Sequence, residues 1–139
     1  MPCIPQLTNR DPIRVVETRR LVTSVRRALN PYAEWAEVLA VARLRELRFV
    51  LSNTTEAGIV YVDEPWTTEC PETFPAKVTA LLAERYRAWD GATDKGLVFL
   101  PCELIDRNGE RLREAVLQHA RAWQDLPAGF GEWVEKHNH

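Results

Sequence analysis

Short apolar runs alternate with amphipathic stretches along most of this chain. The clearest runs are residues 47–51 and 97–100, and their nearly continuous hydrophobicity is typical of strands buried on both faces of a parallel sheet. Residues 13–29 contain many β-branched side chains and predict a further strand. A short extended piece is also predicted at residues 59–62.

Helices are predicted where apolar residues recur every three or four positions. The first begins at residues 30–31, where asparagine precedes proline, because proline at the first helical position loses no intrahelical hydrogen bond. The second follows the same signal at residues 74–75 and ends at the Asp-Gly pair, residues 90–91. A third begins at residues 108–109, and a last one contains residues 130–134.

The order of these elements is strand, helix, strand, helix, strand, helix, which predicts right-handed crossovers and a parallel sheet covered by helices on both faces. Residues 1–14 contain three prolines and are predicted to be an irregular lead-in to a domain of residues 15–139. Ligands of such sheets bind beyond the carboxyl ends of the strands. We therefore expect residues 52–56 and 102–108 to border one crevice.

Charge and cysteine content narrow the classes of function. Eighteen basic and twenty acidic residues give a net charge of -2 without a lysine-rich block, which argues against nucleic acid or an anionic membrane as a partner. The three cysteines form no CxxC pair, so a reducing compartment is expected. No apolar run is long enough to span a bilayer. The sequence predicts a soluble, cytoplasmic protein.

Four polar residues follow the first apolar run: Asn53, Thr54, Thr55 and Glu56. An ordinary turn needs only one or two such groups. The residues alone leave open whether these side chains satisfy local backbone groups or hold a ligand. After the second run, the Glu103 carboxylate must face either solvent in the cleft or a polar partner.

Other candidate residues have simpler interpretations. Asn108 is predicted to cap the third helix first and to hold a ligand second. Cys102 has no histidine at a suitable spacing and is rejected as a nucleophile. His119 falls on the apolar stripe of the third helix, which favours a core histidine. His137 and His139 lack a third ligand, so no metal is assigned.

Four segments carry a resemblance to a known family: LRFVLSNTTEAGI, FPAKVTALLAERY, LVFLPCELIDRNGERLREAVL and LPAGFGEWV. They resemble, in the same order, the long-chain mannitol dehydrogenase family, from about Leu21 to the chain end. The resemblance implies a partial Rossmann-like parallel sheet flanked by helices, within an N-terminal NAD-binding domain. It also implies NAD-dependent hydride transfer that interconverts tagaturonate and altronate.

The resemblance implies roles for the strand-end residues. Asn53, Thr54 and Thr55 would bind the ribose hydroxyls and carboxamide of NAD, with Glu56 beside them near the substrate.

The resemblance implies that Glu103 and Asn108 lie on the side of the crevice that faces the sugar-acid substrate. Lys77 opposes the dipole of the second helix, and a uronate carboxylate is one candidate partner for it. A surface pairing with Glu72 or Glu69 is the commoner explanation.

The sequence also departs from the family. The glycine pattern G-x-G-x-x-G is absent, the family's lysine motif would lie beyond His139, and Leu104 stands where mannitol dehydrogenases have asparagine. We therefore assign no catalytic residue and expect residues 15–139 to lack the first βαβ unit and the C-terminal catalytic domain. Self-association through an uncovered sheet edge is expected.

Two alternatives stay open at this stage. The chain could be a non-catalytic remnant or interaction module that keeps the sheet without binding a cofactor. It could also belong to a reductase of a related sugar acid or polyol, such as fructuronate or mannitol.

Overall fold

Two parallel strands lie at the centre of the computed structural model, which describes residues 18–139. Four α-helices and two short 3-10 turns, Glu56–Gly58 and Thr93–Lys95, accompany them. In chain order the main elements are α1 (Trp35–Ala42), β1 (Phe49–Ser52), α2 (Phe74–Ala88), β2 (Val98–Pro101), α3 (Asn108–Ala122) and α4 (Phe130–His137).

The strands pair in one register, with Phe49 opposite Val98 and Ser52 opposite Pro101. The last residue continues the sheet on the other edge of β2, because the His139 N–H donates to the Leu97 carbonyl at 3.0 Å and the His139 carbonyl accepts from the Phe99 N–H at 2.6 Å. Pro101 is tolerated in β2 because alternate N–H groups face opposite edges, and its missing donor falls on the edge away from β1.

Helices α2, α3 and α4 cover one face of this sheet. Thr73 caps α2 by accepting a 3.4 Å hydrogen bond from the Ala76 N–H, and Pro75 stands in the first turn, as predicted. Val50 and Phe99 point into the resulting core. Its fully packed members are apolar and come from all three helices: Val78, Leu82, Leu112, Val116, Phe130, Trp133 and Val134.

The opposite face of the sheet is bare in the described residues. Phe49 is 50% exposed, Leu51 is 69% exposed and Leu100 is 44% exposed. The prediction of strands buried on both faces, with helices on both sides, is therefore wrong for residues 18–139. The apolar runs show that both faces of the strands could be buried. However, α1 packs against α2 and leaves this face uncovered.

The predicted strand before α1 is not found in residues 18–29, where Leu21 is 87% and Val25 is 70% exposed. β-branched residues favour a strand only when a neighbouring strand and a core are available. Residues 13–17 of that prediction and the predicted lead-in lie outside the described residues. Likewise no strand forms at residues 59–62, and Ile59 instead packs in the core.

The first helix begins later than predicted, at Trp35 rather than at Pro31. Asn30 closes a turn instead: its side-chain oxygen accepts from the Tyr32 N–H at 3.1 Å, and its own N–H donates to the Glu34 carboxylate at 2.7 Å. The asparagine therefore satisfies local backbone in the turn before the helix.

Within residues 18–139, no helix has both the length and the apolar content that a membrane span requires.

Arg85 of α2 holds the amino ends of both strands. Its side chain is 1% exposed, and it donates four hydrogen bonds to backbone carbonyls. Ala42 and Leu44 accept at 2.8 and 2.9 Å, and Leu47, just before β1, accepts at 2.9 Å. Lys95, just before β2, accepts at 2.5 Å. One guanidinium thus ties α1 and the approach to each strand to α2.

Replacing Arg85 by methionine should destabilise the chain by about 3 to 5 kcal/mol, because four backbone carbonyls lose a hydrogen bond from a buried guanidinium. Urea unfolding followed by tryptophan fluorescence measures the change. The matched control is Arg121→Met on the exposed face of α3, which should stay within about 0.5 kcal/mol of the wild type. Equal effects of the two substitutions would contradict this role of Arg85.

Candidate functional site

The loops after β1 and β2 meet at the same edge of the sheet. The Cys102 N–H donates to the Ser52 carbonyl at 2.8 Å, so the parallel ladder runs to the last residue of β1. The predicted neighbourhood of residues 53–56 and 102–108 is thereby confirmed. We call residues 53–58 the β1 loop.

Glu103 joins the two strand ends with its side chain. One carboxylate oxygen accepts from the Ser52 hydroxyl at 3.1 Å, and the other accepts from the Thr54 N–H at 2.9 Å and from the Thr54 hydroxyl at 3.1 Å. The residue is only 4% exposed. Of the two orientations that the sequence left open, the carboxylate faces polar partners rather than solvent.

These partners keep Glu103 ionised. Burial acts to raise the pKa of the carboxyl group, but hydrogen bonds from the backbone of Thr54 and of Glu103 itself, and from the Ser52 and Thr54 hydroxyls, outweigh it. The pKa therefore lies below its ordinary value of 4.5. A buried anion with this many donors stabilises the loop geometry instead of acting as an acid or base near neutral pH.

The β1 loop presents a different set of side chains to solvent. Asn53, Thr55 and Glu56 are exposed, and within residues 18–139 their side chains make no hydrogen bond. Thr54 is half-buried, because it points toward Glu103. The loop closes in a 3-10 turn, in which the Gly58 N–H donates to the Thr55 carbonyl at 2.7 Å. Three of the four predicted cofactor-binding side chains are thus free to meet a ligand.

Asn108 fastens the second loop to α3. Its amide donates to the Pro101 carbonyl at 2.8 Å and to the Glu103 carbonyl at 3.1 Å. The predicted role of Asn108 as the helix cap is corrected: Arg107, with φ 55°, precedes the helix, and Asn108 is its first residue. Because its amide group donates to backbone carbonyls, Asn108 holds the conformation of the chain at the end of β2.

Lys77 is the candidate that the structure does not bring to this edge through any contact of the described residues. Its ammonium group donates to the Glu72 carbonyl at 2.6 Å and to the Tyr32 hydroxyl at 3.2 Å, and it lies 4.7 Å from the Tyr32 ring centre. The pairing with Glu72 uses the backbone carbonyl and not the carboxylate. These contacts offset the unfavourable position of a cation in the first turn of α2.

Cys102 and His119 lie in different environments. Cys102 is exposed. His119 is buried between the rings of Tyr61 and Trp123, at 4.7 and 5.2 Å, and its ring nitrogens have no hydrogen-bond partner in the described residues. Burial lowers the His119 pKa, and the nearby Glu64 and Asp63 oppose that shift. Residues 18–139 contain no group of three or more potential metal ligands.

Sequence reasoning did not identify the partners of Glu103. Ser52 is 8% exposed, and in the sequence it only begins a polar stretch. The available signal was a buried polar residue ending one parallel strand beside a carboxylate just after the next. Which hydroxyl meets which carboxylate depends on strand register, and that is a tertiary property.

A parallel sheet with polar loops at adjoining strand ends is the arrangement found in nucleotide-binding α/β proteins. The chain belongs to the mannitol dehydrogenase family, because the family profile described as "Mannitol dehydrogenase Rossmann domain" matches residues 2–139. This confirms the predicted family and the Rossmann-like fold class. A Rossmann domain of a dehydrogenase implies a nucleotide cofactor.

Curated relatives support the same assignment. The chain is 51% identical to "Altronate oxidoreductase" of Yersinia pestis bv. Antiqua (strain Nepal516) over 124 residues, which are 88% of this chain and 26% of the relative. Identity is 50% to the protein of the same name from Cronobacter sakazakii and 47% to that from Shigella sonnei, with the same coverage. The chain thus spans about a quarter of the length of these relatives. No solved structure matches it.

The Glu103 network should make part of the stability depend on acid pH. Because the folded-state pKa is lowered, the stabilisation is fully present above the ordinary value of 4.5 and is lost as the pH falls through the lower folded-state pKa. At neutral pH, Glu103→Gln should lose about 2 kcal/mol, and the difference from the wild type should shrink on acidification. Urea unfolding of both proteins between about pH 7 and pH 3 measures this.

Other carboxylates cancel in that comparison, since both proteins contain them. A difference in unfolding free energy that stays constant as the pH falls would contradict the assigned ionisation of Glu103.

Proposed function

We propose that residues 15–139 form part of the NAD-binding domain of a tagaturonate reductase (altronate oxidoreductase). The reaction is hydride transfer between a secondary alcohol carbon of the sugar acid and the nicotinamide ring, and NAD supplies the hydride acceptor or donor. The observation that carries the proposal is the exposed, unpaired polar set of the β1 loop at the carboxyl end of a parallel strand. Relatives of the same name give the substrate class.

This chain fits NAD only in part. It has polar groups suited to the nicotinamide riboside half of the cofactor, but it lacks the motif for the pyrophosphate. Asn53, Thr55 and Glu56 offer an amide, a hydroxyl and a carboxylate to the nicotinamide ribose and carboxamide. The Thr54 hydroxyl is not free for the cofactor, because it donates a hydrogen bond to Glu103. Thr54 therefore acts mainly through the position of its backbone in the loop. The glycine motif that would approach the pyrophosphate is absent from the 139 residues. The proposed contacts therefore concern the nicotinamide riboside half.

The substrate side has less support from side-chain geometry. Both oxygens of Glu103 and the amide of Asn108 are occupied by protein groups, which favours a role in shaping the crevice for the sugar acid. Lys77 would have to leave Tyr32 and the Glu72 carbonyl to reach a uronate carboxylate. No residue of this chain is proposed as the catalytic base.

The first βαβ unit and the catalytic domain are proposed to belong to sequence beyond these residues, in agreement with coverage of 26% of the relative from Yersinia pestis. A cytoplasmic location stays a prediction. Fructuronate or a polyol such as mannitol stays an alternative substrate.

Reduced nicotinamide mononucleotide tests the proposal on the 139-residue chain. Because the contacts are limited to the nicotinamide riboside half, this ligand and NADH should bind with similar affinity, with Kd on the order of 1 mM. The amide signals of residues 53–56 should shift in NMR titrations with both ligands, and AMP should not compete. Thr55→Val should weaken binding about threefold to tenfold by removing one hydroxyl.

Thr68→Val is the matched control, because Thr68 is exposed in another loop and its side chain makes no hydrogen bond in the described residues. It should bind both ligands as the wild type does. Shifts confined to other residues, or no saturable shift with either ligand, would refute cofactor binding at this loop.

One observation favours the second candidate, an interaction module. The bare face of the sheet presents Phe49, Leu51 and Leu100 to solvent, and no strand of the described residues pairs with the outer edge of β1. Contiguous apolar patches and open edges promote association. We propose that the isolated chain covers this surface by pairing with a second copy.

Sedimentation velocity should therefore show a coefficient that rises with protein concentration. Leu51→Lys should shift the chain toward monomer, because a charge cannot be buried in the apolar contact. Leu21→Lys is the control, since Leu21 is 87% exposed and lies outside the sheet. A monomer at all concentrations with a cooperative thermal transition would contradict self-association.

A further inference from the structure

Glu103 occupies an unusual place for a substrate ligand. The side chain is 4% exposed, and its two oxygens accept three hydrogen bonds from Ser52 and Thr54 at 2.9 to 3.1 Å. A carboxylate used in this way has little capacity left for a sugar hydroxyl. Its contacts lead instead from the end of β2 into the β1 loop.

The backbone of Glu103 is held from the opposite side. Its carbonyl accepts from the Asn108 amide at 3.1 Å and from the Ile105 N–H at 2.8 Å. Since Asn108 is the first residue of α3, a continuous set of hydrogen bonds connects the start of that helix to Thr54. The position of the β1 loop is thus set by its connection to α3, which is a rigid element.

The held residue lies between the side chains that are free to bind. Thr54 is flanked by Asn53 and Thr55, whose side chains are exposed. The 2.9 Å hydrogen bond from the Thr54 N–H to Glu103 fixes the peptide between Asn53 and Thr54. The Thr54 hydroxyl is held by the same carboxylate, so the backbone from which both neighbours project is restrained at Thr54. Gly58 packs so closely against the Thr54 side chain that a methyl group at residue 58 would collide with the Thr54 Oγ1 and lie 2.7 Å from the Thr54 Cβ.

We propose that Glu103 is a positioning residue that sets the conformation of the β1 loop for the nicotinamide riboside half of the cofactor. This inference rests on the proposed function for the ligand, whereas the hold of Glu103 on Thr54 is independent of any ligand. Glu103 acts through Thr54 and does not contact the cofactor. Preorganised loops bind more tightly because less ordering is required on binding.

The experiment has a ligand-free arm and a ligand arm, both on the 139-residue chain. In the first arm, hydrogen exchange of the Thr54 amide should be about tenfold faster in Glu103→Gln, because a neutral acceptor forms a weaker hydrogen bond. In the second arm, the same variant should bind reduced nicotinamide mononucleotide about tenfold more weakly. Glu69→Gln, at an exposed loop position, should change neither.

A second variant perturbs Thr54 without altering the buried charge. Gly58→Ala should displace the Thr54 side chain and weaken binding, and combining it with Glu103→Gln should add little further loss, because both act through one residue. Fully additive losses would show that Glu103 reaches the ligand by another route and would overturn the positioning role.

The outcomes separate the two levels of the inference. Unchanged Thr54 exchange in Glu103→Gln overturns the hold itself, whatever the ligand does. Faster exchange with unchanged affinity overturns the positioning role while leaving the proposed cofactor site intact. If the wild type fails to bind reduced nicotinamide mononucleotide, the proposed function and the positioning role both fail, and the exchange arm still decides whether Glu103 holds the loop.

Discussion

The buried guanidinium of Arg85 is the interaction on which the arrangement of this chain depends. Its fork of donors reaches carbonyls before β1 and before β2 as well as the end of α1. Main-chain groups at the start of a parallel strand point where no neighbouring strand can satisfy them, and burial without a partner costs free energy. A single charged side chain on α2 supplies these donors and so fixes how both strands enter the sheet.

The opposite ends of the strands are joined by an anion. Glu103 accepts from Ser52 and Thr54 across the sheet, and burial of its charge is offset by those donors. The same two-stranded unit is therefore tied by a cation at its amino ends and by an anion at its carboxyl ends. The second tie lies at the edge of the sheet beyond which ligands of parallel sheets bind.

The bare face of the sheet follows from the number of layers that the described residues provide. A two-stranded sheet can bury one face against three helices, but its other face needs a layer that residues 18–139 do not provide. The side chains on this face are apolar, as in a buried strand, although Phe49 and Leu51 are at least half exposed. The chain covers about a quarter of the altronate oxidoreductase from Yersinia pestis.

By itself, the sequence determined the helices α2, α3 and α4, the two central strands and the meeting of the strand-end loops, because proline signals, apolar spacing and parallel topology are local or follow from element order. It also predicted the family from its motifs. It misplaced the start of α1 and a strand in residues 18–29, since β-branched residues need an actual neighbouring strand. Only the tertiary structure decided that Arg85 is buried, although its position on the apolar stripe of α2 was a signal, and that Glu103 faces Thr54. Such pairings depend on register and on the distance between elements far apart in sequence.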